Sequence, residues 1–130
     1  MGLRNLKKLK HLTGQERAAL EEFVARVRES YEEEIARITL FGSKVRGDFD
    51  EESDVDLLMV VEHRNSQLWD DVVAIEMGLM LKYGIVISSL IMGYENYEWH
   101  RQHRAPLYCN VEREGVDLWT SIPRSSSLSG

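Results

Sequence analysis

Cys109 is the only cysteine in the chain, which excludes an internal disulfide framework and fits a reducing compartment such as the cytosol. A lone thiol without an acid–base partner beside it reads as an ordinary half-buried side chain. No apolar run approaches the roughly 20 residues that a membrane-spanning helix needs. The opening "MGLRNLKKLKHL" has no continuous apolar stretch or small-residue cleavage site of the kind a signal peptide carries, and Leu6 stands where a myristoylation signal wants Ser or Thr. A basic excess is missing too. The net charge is -6, so the bulk field is not one that gathers nucleic acid.

What remains is a globular composition, 43% hydrophobic and 29% charged, in 130 residues, enough for one core and too little for two. The basic residues that do cluster, Arg4, Lys7, Lys8 and Lys10, lie among Leu3, Leu6, Leu9 and Leu12. Residues 1–12 therefore read as a basic arm, either a helix for an acidic partner or a solvated terminus. The tail, residues 120–130, has the composition of a disordered segment.

Between these ends the pattern is regular. Thr13 and Glu16 have the spacing of a capping box, and Leu20, Phe23 or Val24, Val27 and Tyr31 recur at helical spacing, predicting a helix over 14–34. "IARITLFG" reads as a strand, Ser43 to Arg46 as one helical turn, and "DVDLLMVVE" as a second strand. Asn65 or Ser66 caps a further helix with the stripe Leu68, Val72, Ile75 and Leu79, closed by Gly84. "IVISSLIM" is β-branched enough for a third strand, "YENYEWHRQHR" reads as a helix broken before Pro106, and a short helix over 106–113 and a strand "VDLW" close the domain. The expected class is α/β, a small mixed sheet flanked by helices.

The chemistry concentrates in "LFGSKVRGDFDEESDVDLLMVVE", residues 40–62. Alternation along a strand puts Asp54 and Asp56 on one face together with Leu58 and Val60. Two adjacent ionised carboxylates repel and raise each other's pKa, and a divalent cation relieves that. All-oxygen ligands suit Mg²⁺ or Mn²⁺, which share their remaining positions with water and substrate phosphates. Gly42-Ser43 supplies a complementary half: a glycine allows close backbone approach, backbone N–H groups face a phosphate, and a hydroxyl adds a donor. Together these describe a nucleoside triphosphate pocket. Asp48, Asp50, Glu51 and Glu52 read as a solvated acidic loop. His11, His63, His100 and His103 show no zinc pattern, with His100 and His103 on an exposed helix face. Trp69, Trp99 and Trp119 read as core or interface anchors.

Gly42-Ser43, ten intervening residues and Asp54-x-Asp56 resemble the signature of the minimal nucleotidyltransferases of the DNA polymerase β-like superfamily, whose MntA-like antitoxin members pair with HEPN-domain toxins. Leu40-Phe41, Lys44, Arg46-Gly47 and Ser53 match as well, and "YGIVISSLIM" and "PLYCNVEREGVDLW" look like that family's third strand and closing segment. The resemblance covers residues 13–119, the expected domain. It implies that Gly42 and Ser43 hold the β/γ-phosphates of ATP, with Lys44 and Arg46 offsetting phosphate charge. Asp54 and Asp56 would bind Mg²⁺ between the α-phosphate and the attacking hydroxyl. The implied catalytic set is Asp54, Asp56 and Ser43, and the implied acceptor a hydroxyl of a partner protein in the cytoplasm.

The pattern departs at one position. Relatives with a "YG-x-D-I-S" third strand carry a third carboxylate where this chain has Val86, and Ser88, on the same face, is a poor substitute. Three readings stay open on the sequence: a slow transferase of AMP, a nucleotide-binding subunit that neutralises its partner by contact, and a plain interaction module. Intact Gly42-Ser43 and Asp54-x-Asp56 argue against the third. Self-association is left undecided.

Overall fold

The computed structural model describes residues 9–47, 54–63 and 65–120. The order of elements is α1 (Gly14–Tyr31), β1 (Ile35–Phe41), α2 (Ser43–Arg46), β2 (Val55–Val61), α3 (Ser66–Tyr83), β3 (Ile87–Gly93), α4 (Tyr94–Gln102), α5 (Pro106–Glu114) and β4 (Val116–Thr120).

Local signals start and stop these elements as their chemistry requires. Thr13 Oγ1 accepts from the Glu16 N–H at 3.1 Å while Glu16 Oε1 accepts from the Thr13 N–H at 2.8 Å, a reciprocal cap. Asn65 caps α3, its Oδ1 accepting from the Leu68 N–H at 2.8 Å. Gly84 ends α3 in the left-handed region with φ 71°, its N–H on Met80 O at 2.8 Å. The periodicity predicts α1 as far as residue 34, but the helix ends at Tyr31. Glu32, Glu33 and Glu34 follow, and carboxylates are unfavourable at the negative end of a helix. Ile87 rather than residue 85 opens β3, although Val86 O already accepts from the Val55 N–H at 2.9 Å.

The sheet order is β3-β2-β1-β4. β1 runs antiparallel to both β2 and β4, whereas β2 and β3 are parallel, joined through α3. This makes the sheet mixed, as expected. Its two faces differ. On one, Val55, Leu57, Met59 and Val61 of β2 meet Leu20, Phe23, Val24 and Val27 of α1 and Leu68, Val72 and Leu79 of α3. Ile75, the remaining member of the α3 stripe, is partly buried against the same cluster. On the other face Leu58, Val60, Met92 and Val111 form a smaller cluster with Phe41, Tyr97 and Leu107.

Leu9 and Leu12, placed by the sequence in the basic arm, are buried in the main core at 2% and 7% exposure. Thr120, placed by the sequence in the tail, closes β4 instead; residues 1–8 of the arm and 121–130 of the tail lie outside the described residues. Trp119 packs against the main core with the Arg28 guanidinium over its ring, while Trp69 and Trp99 are about half exposed. His100, in the last turn of α4, is half-buried and His103, its C-cap, is exposed, each with Nδ1 on the carbonyl one turn back. Cys109 is half-buried, its thiol near the Arg104 carbonyl. Among the described residues no helix is long and apolar enough to cross a membrane.

Candidate functional site

The second face of the sheet is covered only in part, and its open end carries the two aspartates. Asp56 is paired with Phe41 on β1 and with Ser88 on β3, and so lies in the middle of three strands. Asp54 just precedes β2, exposed, alongside Val86. Val86 is 44% exposed, and Ser88 is exposed beside Asp56. The strand register thus brings Asp54, Asp56, Val86 and Ser88 to one patch.

Gly42 closes the patch on the β1 side. It has φ 87°, a conformation that L side chains rarely adopt, and a Cβ placed there would lie 2.7 Å from Asp56 Oδ2. A side chain there is strained by the backbone and must displace the carboxylate: the turn between β1 and α2 lies close against Asp56. Ser43 follows as the first residue of α2, half-buried, and its carbonyl accepts from the Gly47 N–H at 2.7 Å. The Gly-Ser turn and the aspartate pair are therefore one site, separated in sequence and joined by the antiparallel pairing of β1 with β2.

Burial is the main cause that pushes the Asp56 carboxyl above the usual carboxylate range; the charge of Asp54 adds to it, and Arg46 opposes both. The pair is thus short of positive charge. That donor set, two carboxylates on one face next to a backbone turn, fits a hard divalent cation that takes its other ligands from water or phosphate. Among the described residues no group of three or more His, Cys, Asp or Glu side chains is placed to hold a metal. Asp48, Asp50, Glu51 and Glu52 lie outside the described residues.

The two cations expected at the phosphates are placed unequally. Arg46 is exposed, 2.9 Å from Glu114 Oε2, and its charge reaches Asp56. Lys44 is turned inward: it is 2% exposed, with Nζ 2.7 Å from Glu16 Oε2. As it stands, its ammonium is not presented at the surface of the site.

A family model described as a nucleotidyltransferase domain matches residues 20–115. The chain belongs to the nucleotidyltransferase domain family. It is 38% identical over 110 residues to a Methanocaldococcus jannaschii protein named "Putative protein adenylyltransferase MJ0604", covering 80% of this chain and 98% of that one. Two solved structures share the fold. One, described as a toxin-antitoxin with AMP-PNP, aligns with a TM-score of 0.51 at 15% identity, covering 81% of this chain and 77% of that one. The other, a mutant of the toxin-antitoxin MntA-HpeT, aligns at 0.52 and 12% identity with the same coverages. The fold expected from the motif is thus that of its neighbours.

Within this nucleotidyltransferase domain the sequence shows some of the candidate site's neighbours and hides others. Gly42, Ser43, Asp54 and Asp56 come together as their spacing suggests. Glu16 is visible as a capping residue, but nothing in the sequence pairs it with Lys44. Equally hidden is a polar network on the covered part of the second face. Arg37 donates to Asp117 at 2.9 Å, to Tyr97 at 2.6 Å and to Glu112 at 3.2 Å, and Thr39 donates to Asp117 at 2.8 Å. It fastens β4, α4 and α5 to β1.

Proposed function

We propose that this domain transfers AMP from ATP to a hydroxyl of a partner protein in the cytoplasm, and that the partner is a HEPN-domain toxin for which the domain is the antitoxin. The observation that carries the reading is the close approach of the Gly42 turn to Asp56, where a Cβ on Gly42 would lie 2.7 Å from Oδ2; this supports a pocket shared by the turn and the carboxylates. Membership of the nucleotidyltransferase family supports the chemistry, and the names of its relative and structural neighbours suggest the protein acceptor and the toxin.

In the proposed reaction the acceptor oxygen bonds to the α-phosphorus, the bond from that phosphorus to the α–β bridging oxygen breaks, and pyrophosphate leaves. The hydroxyl proton passes to water or to the acceptor's own surroundings, since position 86 offers no base. Asp54 and Asp56 would hold Mg²⁺ or Mn²⁺, which when bound supplies charge neutralisation at the phosphates. Gly42 and Ser43 hold the β/γ-phosphates, and Arg46 adds a cation by turning from Glu114. Positioning and charge are most of what such a transfer asks of a protein.

Val86 supports a second reading, in which the domain binds the nucleotide but neutralises its partner by contact alone. The experiment is transfer of label from α-³²P-ATP to a purified HEPN-domain toxin, with wild type, Val86→Asp and Asp56→Asn. Because Val86 is 44% exposed, an aspartate there meets little desolvation cost. The transferase reading predicts slow labelling by the wild type, faster labelling by Val86→Asp and none by Asp56→Asn. Nucleotide binding without labelling by any variant would support the contact reading, and labelling by Asp56→Asn would overturn both.

A further inference from the structure

We propose that the buried Glu16–Lys44 ion pair is a positioning device that sets the Gly42-Ser43 turn for the β/γ-phosphates, with Lys44 itself off the substrate. The inference rests on the nucleotide-binding reading above and adds a pair that the reading does not contain.

Glu16 stands in the first turn of α1, and both of its oxygens are engaged. Oε1 accepts from the Thr13 N–H at 2.8 Å, and Oε2 meets Lys44 Nζ at 2.7 Å. The two side chains are 6% and 2% exposed. Desolvation largely offsets the attraction in such a pair, so stability is a weak reason for it; apolar groups of the same shape would serve as well. What they would lack is direction. An ammonium held by a carboxylate that is itself fixed by a helix cap has one position, and α2 takes its orientation from it.

That matters because α2 is only the four residues Ser43–Arg46 and has no side-chain cap of its own. Its place depends on its surroundings: Lys44 on α1, Arg46 on Glu114 at the end of α5, and Gly47 beneath His11, whose Nε2 would lie 2.7 Å from a Cβ there. Of the two ion pairs the one at Lys44 is the buried one, and Lys44 directly follows Ser43. On the opposite side Gly42 leaves no room for a Cβ before Asp56 Oδ2. The turn is thus wedged between two carboxylates, one open to the site and one closed in the core. A direct role for Lys44 on phosphate would strand Glu16 as a buried, unpaired charge.

The test uses the full chain, its melting temperature without ligand, and calorimetric titration with Mg·ATP and with AMP, which lacks the β/γ-phosphates. Lys44→Met should melt well below wild type. The shape-preserving double variant Glu16→Gln with Lys44→Met should melt close to wild type yet bind Mg·ATP about tenfold more weakly, a difference of about 1.4 kcal/mol. Its AMP affinity should stay within about twofold. Glu16→Gln alone, with the lysine intact, should weaken Mg·ATP in the same sense, and Lys44→Arg should restore most of the affinity. Wild-type Mg·ATP affinity in the double variant would overturn the proposal, as would an equal loss for AMP and ATP. Unchanged ATP binding by Glu16→Gln alongside weakened binding by Lys44→Met would also overturn it, by putting Lys44 on the phosphate. A wild type that binds neither nucleotide with Mg²⁺ present would instead sink the nucleotide-binding reading, and this one with it.

Discussion

The two faces of the sheet share four strands and differ in what they are for. On the α1/α3 face every β2 side chain is apolar and fully covered: Val55, Leu57, Met59 and Val61 are at 0% exposure. On the other face β2 presents Leu58 and Val60 under α4 and α5, then Asp56 half-buried and Asp54 exposed. A single strand thus changes from core to site within two residues, without leaving its register. The main core and the proposed site are separated by face and by position along the strand. The covered part of the second face joins a smaller apolar cluster to the charged network of Arg37, where the first face has the larger apolar core.

If this division is right, the largest effect on folding comes from the apolar face. Phe23→Ala, at a fully buried position, should destabilise by about 3–5 kcal/mol, read as a drop in the denaturation midpoint without any change specific to nucleotide. A loss under about 1 kcal/mol would mean that the α1 face is not the main core.

Gly42→Val comes next, because it acts on both counts. A side chain at φ 87° and 2.7 Å from Asp56 Oδ2 is strained, which should cost about 1–3 kcal/mol of stability. Binding of Mg·ATP should fall beyond detection in the fraction that still folds. A folded, normally binding Gly42→Val would separate the turn from the nucleotide.

Alkaline pH gives a smaller effect that reads both faces at once. Burial pushes Tyr97, on the second face, up to about 12, and a hydrogen bond to Asp71 pushes Tyr31, on the first, up to about 12. Both lie above the ordinary tyrosine value of 10.0, so between about pH 10 and 12 the folded chain holds protons that the unfolded chain has lost. Stability is full below that window and falls as pH rises through it. Tyr97→Phe and Tyr31→Phe should each flatten the decline, measured as melting temperature against pH. An unchanged slope in both variants would contradict the placement of these phenols.

Much of the apolar face was legible in the sequence, because it is written in periodicity and caps. Leu20, Phe23, Val27 and the stripe from Leu68 to Leu79 repeat at helical spacing, and Thr13, Asn65 and Gly84 mark the ends. The pairing of Asp54 with Asp56 was equally open, since alternation along one strand decides it, and their union with Gly42 followed from a recognisable motif. What stayed hidden depends on partners far apart in the chain. Arg37 meets Tyr97 and Asp117 across 60 and 80 residues, and no local pattern names them. Lys44 looks like any solvent-facing cation beside a phosphate turn until the fold folds it against Glu16. Leu9 and Leu12 were masked in the same way by the lysines around them.

Asp54 and Asp56, with the Gly42-Ser43 turn close to Asp56, are proposed to form one metal-dependent nucleotide pocket. Isothermal titration of ATP with Mg²⁺, with EDTA, and into the Asp54→Asn/Asp56→Asn double variant tests it most directly. Binding should require the metal and vanish in the double variant, whose melting temperature without ligand should equal or slightly exceed that of wild type, because two crowded carboxylates have been neutralised. Equal affinity with EDTA, or undiminished binding by the double variant, would contradict the account.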